Sequence, residues 1–406
     1  MKYYLCFALL VSWLLCGFAA AQSPKREDFG ASLKRLKWDE QKQIAVEQKK
    51  AKDEAATSDD VLKVETMLAI FDVLILDPQG RSLTGFTQND FVVREDGKPQ
   101  EIAAFSLGDG STVPRSIVLI IDYSGSQLPY LQNSIEAAKT LVDKLTPRDR
   151  MAIISDDVEL LVDFTQDKGK LKKSLDSLKK KASGNQLGRS EQYSALFAVL
   201  RELVKSEERP IILFQTDGDE LQRLQPVGDA GRPGFNVRSK PYSFQDIYTA
   251  AEKSRTTIYT IIPGIQLMGQ TLEEQIRRAR EVYAQRLHAM RKRAGDESID
   301  AFLVRMRQMP DSYFQPIITT QHRQQMAAAG IAKLTGGWAE FLETPEQAAA
   351  IYERILTGIN RRYLIGYYPT NEARDGKLRK VKIEVKGHPE YRVLGKQSYY
   401  AREGEK

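Results

Sequence analysis

Two hydrophobic rhythms run along the chain, and the change between them marks its parts. Leu62, Val64, Met67, Ala69, Phe71, Val73 and Ile75 fall largely at alternate positions, and Asp77-Pro78-Gln79-Gly80 closes the run in a turn, which is a strand pattern. Phe91 to Glu95 and Gln100 to Phe105 flank Asp96-Gly97, a two-residue hairpin signal. The carboxyl end repeats the alternation, with Val381, Ile383 and Val385 between Lys382, Glu384 and Lys386 after the aromatic stretch Tyr363 to Tyr368. Neither flank is long enough for a full core, so the two are expected to pair as one antiparallel β-sandwich-like domain over 61–110 and 361–402.

Between them the rhythm changes. Ile117 to Ile121 is an unbroken branched apolar run, the mark of a strand buried on both faces of a parallel sheet. Leu131, Ile135, Ala138, Leu141, Val142 and Leu145 then mark a helix face. Short strands follow at Met151 to Ile154 and Val158 to Phe164, then a lysine-rich helix on Leu171, Leu175 and Leu178 and a helix over Ala195 to Val204. Further strands are expected at Ile211 to Phe214, Thr257 to Ile262 and Trp338 to Leu342, with helices over Gln325 to Leu334 and Pro345 to Asn360. Strand and helix alternating at this spacing predict an α/β, doubly wound, mostly parallel sheet over 115–360. One stretch, 266–314, breaks the alternation. Leu272, Ile276, Ala279, Tyr283, Leu287 and Met290 recur in steps of three and four, which reads as a helical insert.

Composition adds a destination. Lys2, the apolar run Leu5 to Phe18 and Ala19-Ala20-Ala21 make 1–21 an export signal, with an uncleaved anchor as the alternative. Cleavage would leave a periplasmic, outer-surface or secreted protein without a stable membrane span. Cys6 and Cys16 both lie in that segment, so the remainder has no thiol for a disulfide, a thiolate metal site or a cysteine nucleophile. Residues 22–60 are charge-rich with few apolar anchors and read as a helical or disordered spacer. A net charge of +6 spread over mixed-sign residues is too mild to argue for nucleic acid.

Candidate chemistry gathers at two strand ends. After Ile121 come Asp122, Ser124 and Ser126, hard oxygen donors on a loop leaving the carboxyl end of a buried strand, where open α/β sheets bind ligands. A plainer reading makes Asp122 a helix cap and the serines turn residues. Asp217 follows a second buried strand, and Ser190 offers a hydroxyl before the helix that runs Ala195-Leu196. No nucleophile elbow or phosphate loop is present, and His288, His322 and His388 lack zinc-ligand spacing.

Asp122-x-Ser124-x-Ser126, Ser190 ahead of Ala195-Leu196, and Thr216-Asp217-Gly218 together resemble the metal-ion-dependent adhesion site of von Willebrand factor type A (VWA) domains. Asn89-Asp90-Phe91, Glu95 to Gln100, Leu334-Thr335-Gly336-Gly337 and Tyr363 to Pro369 resemble the exported VWFA-related family first noted in acidobacteria. The resemblance implies a Rossmann-like sheet holding Mg²⁺, with Mn²⁺ or Ca²⁺ as substitutes. Asp122, Ser124, Ser126 and Ser190 would ligate directly or through water, Asp217 would be water-linked, and one position would be left for an acidic group on a protein partner. Arg189-Ser190 departs from the family's usual threonine and puts metal affinity in doubt, and Arg189 beside it could attract an anion. The function this implies is non-enzymatic, metal-dependent protein binding. The alternatives are a metal-dependent hydrolase at the same site and a scaffold whose metal site has decayed.

Overall fold

The computed structural model describes residues 28–39, 41–42, 44–47, 68–108, 114–204, 209–224, 240–282, 304 and 308–402. The expected export signal lies outside them, as do the spacer beyond 47 and the middle of the insert. The first elements are helix α1 (Ala31–Lys34) and a hairpin of β1 (Leu36–Asp39) and β2 (Ile44–Glu47). Where the sequence suggests a helical or disordered spacer across 22–60, the described part of it, within 28–47, is docked on the rest of the chain. Leu33 and Leu36 are buried, Glu202 accepts from the N–H groups of Gly30 and Ser32 at 2.7 and 2.8 Å, and Asp246 accepts from Ala45 N–H at 3.1 Å. Two apolar anchors and three backbone donors met by carboxylates are enough to dock a polar segment, and hydropathy registers only the anchors. The chain then forms β3 (Ala69–Leu76), β4 (Ser82–Leu83), β5 (Phe91–Glu95), β6 (Lys98–Gln100) and β7 (Ile102–Leu107).

The middle of the chain opens with β8 (Arg115–Ile121), buried at every residue. It continues through α2 (Leu128–Asp143), β9 (Arg150–Ser155), β10 (Glu159–Thr165), α3 (Lys168–Ser183), α4 (Gln192–Ala198) and β11 (Arg209–Gln215). After α5 (Phe244–Lys253) and β12 (Thr257–Pro263) come α6 (272–282), α7 (Asp311–Leu334), β13 (Ala339–Leu342) and α8 (Ala348–Asn360). The sheet order is β10-β9-β8-β11-β12-β13, parallel throughout except for β10 against β9. Period-two geometry explains the apolar run in β8. Ile117, Leu119 and Ile121 pack with Leu131 and Ile135 of α2 and Ile355 of α8. Val118 and Ile120 enter the opposite core with Leu196, Ile247 and Ile331.

Two helices differ from expectation. The segment expected from Ala195 starts at Gln192 and loosens into a π-helical turn at Val199–Leu203. The helix expected from Gln325 starts at Asp311, where Phe314 and Ile318 join Leu267, Ile276 and Ala279 in a small separate core. Too few apolar positions serve that core for a period to show in the sequence. Among the described residues no helix is long and apolar enough to cross a membrane.

The chain ends with β14 (Tyr363–Tyr367), β15 (Leu378–Val385), β16 (Arg392–Leu394) and β17 (Ser398–Tyr400). The two flanks pair with each other: β14 lies between β3 and β7, and β15 pairs with β5. The sheets β16-β3-β14-β7 and β17-β15-β5-β6 share one core around Phe71, Val93, Tyr363, Ile365 and Ile383. Asp96 (φ 47°) and Gly97 (φ 84°) make the β5–β6 turn, both left-handed as a primed hairpin requires. The fold is thus a mostly parallel sheet flanked by helices, set between the halves of an antiparallel β-module. Gly108 runs against the returning chain here: a Cβ on it would stand 2.9 Å from the carbonyl oxygens of Ile359, Asn360 and Arg362.

Candidate metal centre

From β8 the chain proceeds to β9 and β10 on one side and then crosses to β11, β12 and β13 on the other. The boundary between β8 and β11 is therefore the topological switch point, where the loops at the carboxyl ends diverge and leave a crevice. Asp122 leaves β8 there, Asp217 lies two residues past β11, and Asp156 leaves β9. Three adjacent strand ends each deliver an aspartate to one edge.

Hydrogen bonds tie these groups together. Asp122 is fully buried, and its Oδ1 accepts from Ser124 N–H at 2.9 Å. The Ser124 and Ser126 hydroxyls are 3.2 Å apart, and Ser126 Oγ donates to Asp217 Oδ2 at 2.6 Å. Gln127 Nε2 reaches the same Asp217 oxygen at 2.8 Å. Gln192 Nε2 bridges Asp122 Oδ2 at 2.6 Å and Asp219 Oδ1 at 2.9 Å. Asp156 holds the neighbouring loop, accepting from Ser190 N–H at 2.7 Å and Tyr123 N–H at 3.2 Å. That loop passes so close that a Cβ on Gly188 would stand 2.2 Å from an Asp156 oxygen. Ser190 itself is left-handed, with φ 56°.

Of the five residues singled out from sequence, Ser124, Ser126 and Asp217 form one hydrogen-bonded run, and Asp122 joins it through Ser124. Ser190 stands apart from that run. Its N–H goes to Asp156, and its side chain helps to hold the Asp219 carboxyl down. Arg189 does not turn toward the crevice, because it pairs with Asp157 at 3.3 Å and with its carbonyl at 2.9 Å. Asp156, Gln192, Gln127 and Asp219 are additions that sequence reasoning missed. Asp156 had a readable signal, since it follows a strand just as Asp122 does.

The electrostatics are lopsided. Burial, and then the charges of Asp217 and Asp156, push the Asp122 carboxyl well above the usual carboxylate range, outweighing the Ser124 hydrogen bonds. Burial lifts Asp156 to about 7 against the pull of its two backbone donors. Asp219 is raised by burial and then by Asp217. Among the described residues none of Asp122, Asp156 and Asp217 has a cationic partner in an ion pair. Adjacent carboxylates with aligned hydroxyls and no counter-charge suit a small hard cation. Among the described residues no group of three or more His, Cys, Asp or Glu is placed to hold such an ion.

Comparison with known proteins agrees with the domain. No curated protein matches the chain. Among solved structures it is similar to the vWF domain of the type V pili tip protein Mfa5 from Porphyromonas gingivalis, at 14% identity over 62% of this chain and 96% of that one, TM-score 0.35. Others are the conserved hypothetical protein BatB from Bacteroides thetaiotaomicron (16%, 60% and 98%, TM-score 0.33) and manganese-loaded TRAP protein from Plasmodium vivax (12%, 78% and 100%, TM-score 0.33). Residues 117–220, which span β8, the Asp156 loop, Ser190 and Asp217, match the family model of the von Willebrand factor type A domain, and the chain carries that domain.

Proposed function

We propose that this is an exported, non-enzymatic binding protein that engages an acidic group on a protein partner through a divalent cation at the switch-point edge. The observation that carries the reading is the uncompensated run Asp122–Ser124–Ser126–Asp217, where buried Asp122 and half-buried Asp217 crowd one another without an ion-paired cation. Asp122, Ser124 and Ser126 would hold the ion, Asp217 would act beside it, and Ser190 would close the site from the opposite loop. Mg²⁺ fits this set of hard oxygens, and Mn²⁺ or Ca²⁺ could replace it. With so few protein charges, a bound ion would stay electrophilic enough to take a carboxylate from outside.

The surroundings offer a partner's segment a place to lie beside the ion. A cavity of about 490 Å³ runs from Ser126 and Asp217 past Ile262, Ile265 and Val282, rimmed by the amides of Gln321 and Gln324. Apolar walls with an amide rim suit a peptide segment that presents its acid at one end. Among the described residues no histidine joins the site; His388 stacks on Tyr391 and bonds Glu390 in the β-module.

Calorimetry with Mg²⁺ and Mn²⁺ tests the reading directly. Wild type should bind at least one ion and Asp122→Ala should bind neither. Capture of a partner from envelope extract should be lost in chelator and in the same variant. Equal heats from wild type and Asp122→Ala would end the metal reading.

A further inference from the structure

The opposite edge of the central sheet carries a cluster of the other sign. Where α5 runs into β12, the Lys253–Thr256 turn meets β3, β17 and the loop after Pro369 around a cavity of about 280 Å³. Its lining holds five cations, Lys253, Arg255, Arg374, Lys396 and Arg402, against two acids, Asp72 and Glu372. Phe71, Tyr399 and Tyr400 supply aromatic wall.

Lys396 is half-buried, and Lys253, Arg255, Arg374 and Arg402 stand exposed around it. Lys396 has its donors committed to the carbonyls of Glu252 and Ser254, so it contributes charge more than free N–H groups. Burial, helped by Arg255 and opposed by Glu252, brings the Lys396 ammonium down to about 8. Burial and the charge of Arg402 likewise hold the Arg255 guanidinium below its ordinary value. Arg255 lines the cavity from its exposed side, and among the described residues no carboxylate bonds its planar five-donor fork. Like charges that lower one another's proton affinity cost stability, and an anion seated among them returns it.

We infer that this cavity binds a small oxyanion, a phosphoryl group above all, held by the Arg255 fork with Arg402 and Lys396 supplying further positive charge. Multiple cations and a fork-shaped donor match a tetrahedral dianion better than a single carboxylate. The volume equals roughly nine waters at about 30 Å³ each, room for the group and a few attached atoms. The site lies at the strands' amino ends, so it is independent of the metal reading at the other edge.

The test is calorimetry of the full chain with inorganic phosphate and pyrophosphate in low-chloride buffer without added divalent cation. Wild type should bind pyrophosphate, and Arg255→Gln and Arg402→Gln should each bind about tenfold or more weakly. Arg255→Lys should be intermediate, because it keeps the charge and loses the fork. Melting supplies the readout that a merely structural arginine would not give. Without anion Arg255→Gln should melt above wild type because repulsion is relieved, and pyrophosphate should raise only the wild-type midpoint. Absence of anion binding by wild type, unchanged binding in both glutamine variants, or an anion-free Arg255→Gln that melts lower would each overturn the proposal.

Discussion

Gln192 places one neutral donor between two crowded carboxylates at the switch-point edge. Its amide N–H₂ is shared between Asp122 and Asp219, the donor that two crowded carboxylates would otherwise seek in a positive charge. Its own Oε1 is buried without a hydrogen-bond partner in the protein. Replacing it by glutamate would convert a donor into a further acceptor of like charge. Gln192→Glu should therefore melt several degrees lower than wild type in chelator and regain most of that loss in Mn²⁺. Thermal melts with and without the ion check this, and a variant insensitive to Mn²⁺ would count against the metal centre. Ser190 makes a related point: at φ 56° a β-branched threonine would be strained, which gives a backbone reason for serine here. Asp122, Ser124, Ser126 and Asp217 could be read from sequence because strand ends announce themselves. Gln192 and Gln127 could not, since a helical glutamine looks the same whether it faces solvent or a buried carboxylate.

At the scale of elements, the strands of the central sheet are pinned at their amino ends by a buried ion pair. Arg115 at the start of β8 donates to both Asp149 oxygens at 2.6 Å and to Asn360 Oδ1 at 2.7 Å, joining β8, the turn into β9 and the end of α8. Burial alone would raise the Asp149 carboxyl, but the Arg115 hydrogen bonds and charge hold it below the usual range. A depressed folded-state value means this stabilisation is fully present above the unfolded carboxylate range of about 4 and is lost as pH falls through the folded value. Arg115→Ala should cost about 3–5 kcal/mol by leaving Asp149 buried and unpaired. Chemical denaturation at neutral and acid pH checks both points, since the variant and wild type should converge at low pH. Element type was largely legible for β8, with its unbroken run, and for β15, whose burial alternates along its length. The amino-terminal half of α7 was not, because its contacts are with α6 and the loop before it and leave no long apolar stripe.

Across the whole molecule, the β-module and the VWA domain are joined by polar contacts that composition does not reveal. Arg362, 2% exposed, donates to the carbonyls of Asp72 in β3 at 2.9 Å and Gly336 after α7 at 2.5 Å, and lies over the rings of Tyr259 and Trp338. Arg362→Ala should destabilise by about 3 kcal/mol, and Arg362→Lys should recover only part because it cannot serve both carbonyls in one plane. Limited proteolysis across the 108–114 and 360–363 crossings checks this, with faster cleavage expected in both variants. In the β-module Tyr367 and Tyr399 donate to buried Glu95 at 2.8 and 2.7 Å. Alternation predicts which face a residue occupies and says nothing of what its hydroxyl meets.

The close passage of Gly108 beside Asn360 and Arg362 has a mechanical consequence. The chain leaves the β-module at Gly108 and re-enters it at Tyr363, and these two points lie side by side, so tension between the β-module and the central sheet is shared by two covalent connections. Load then reaches the central sheet through β8 and α8 together.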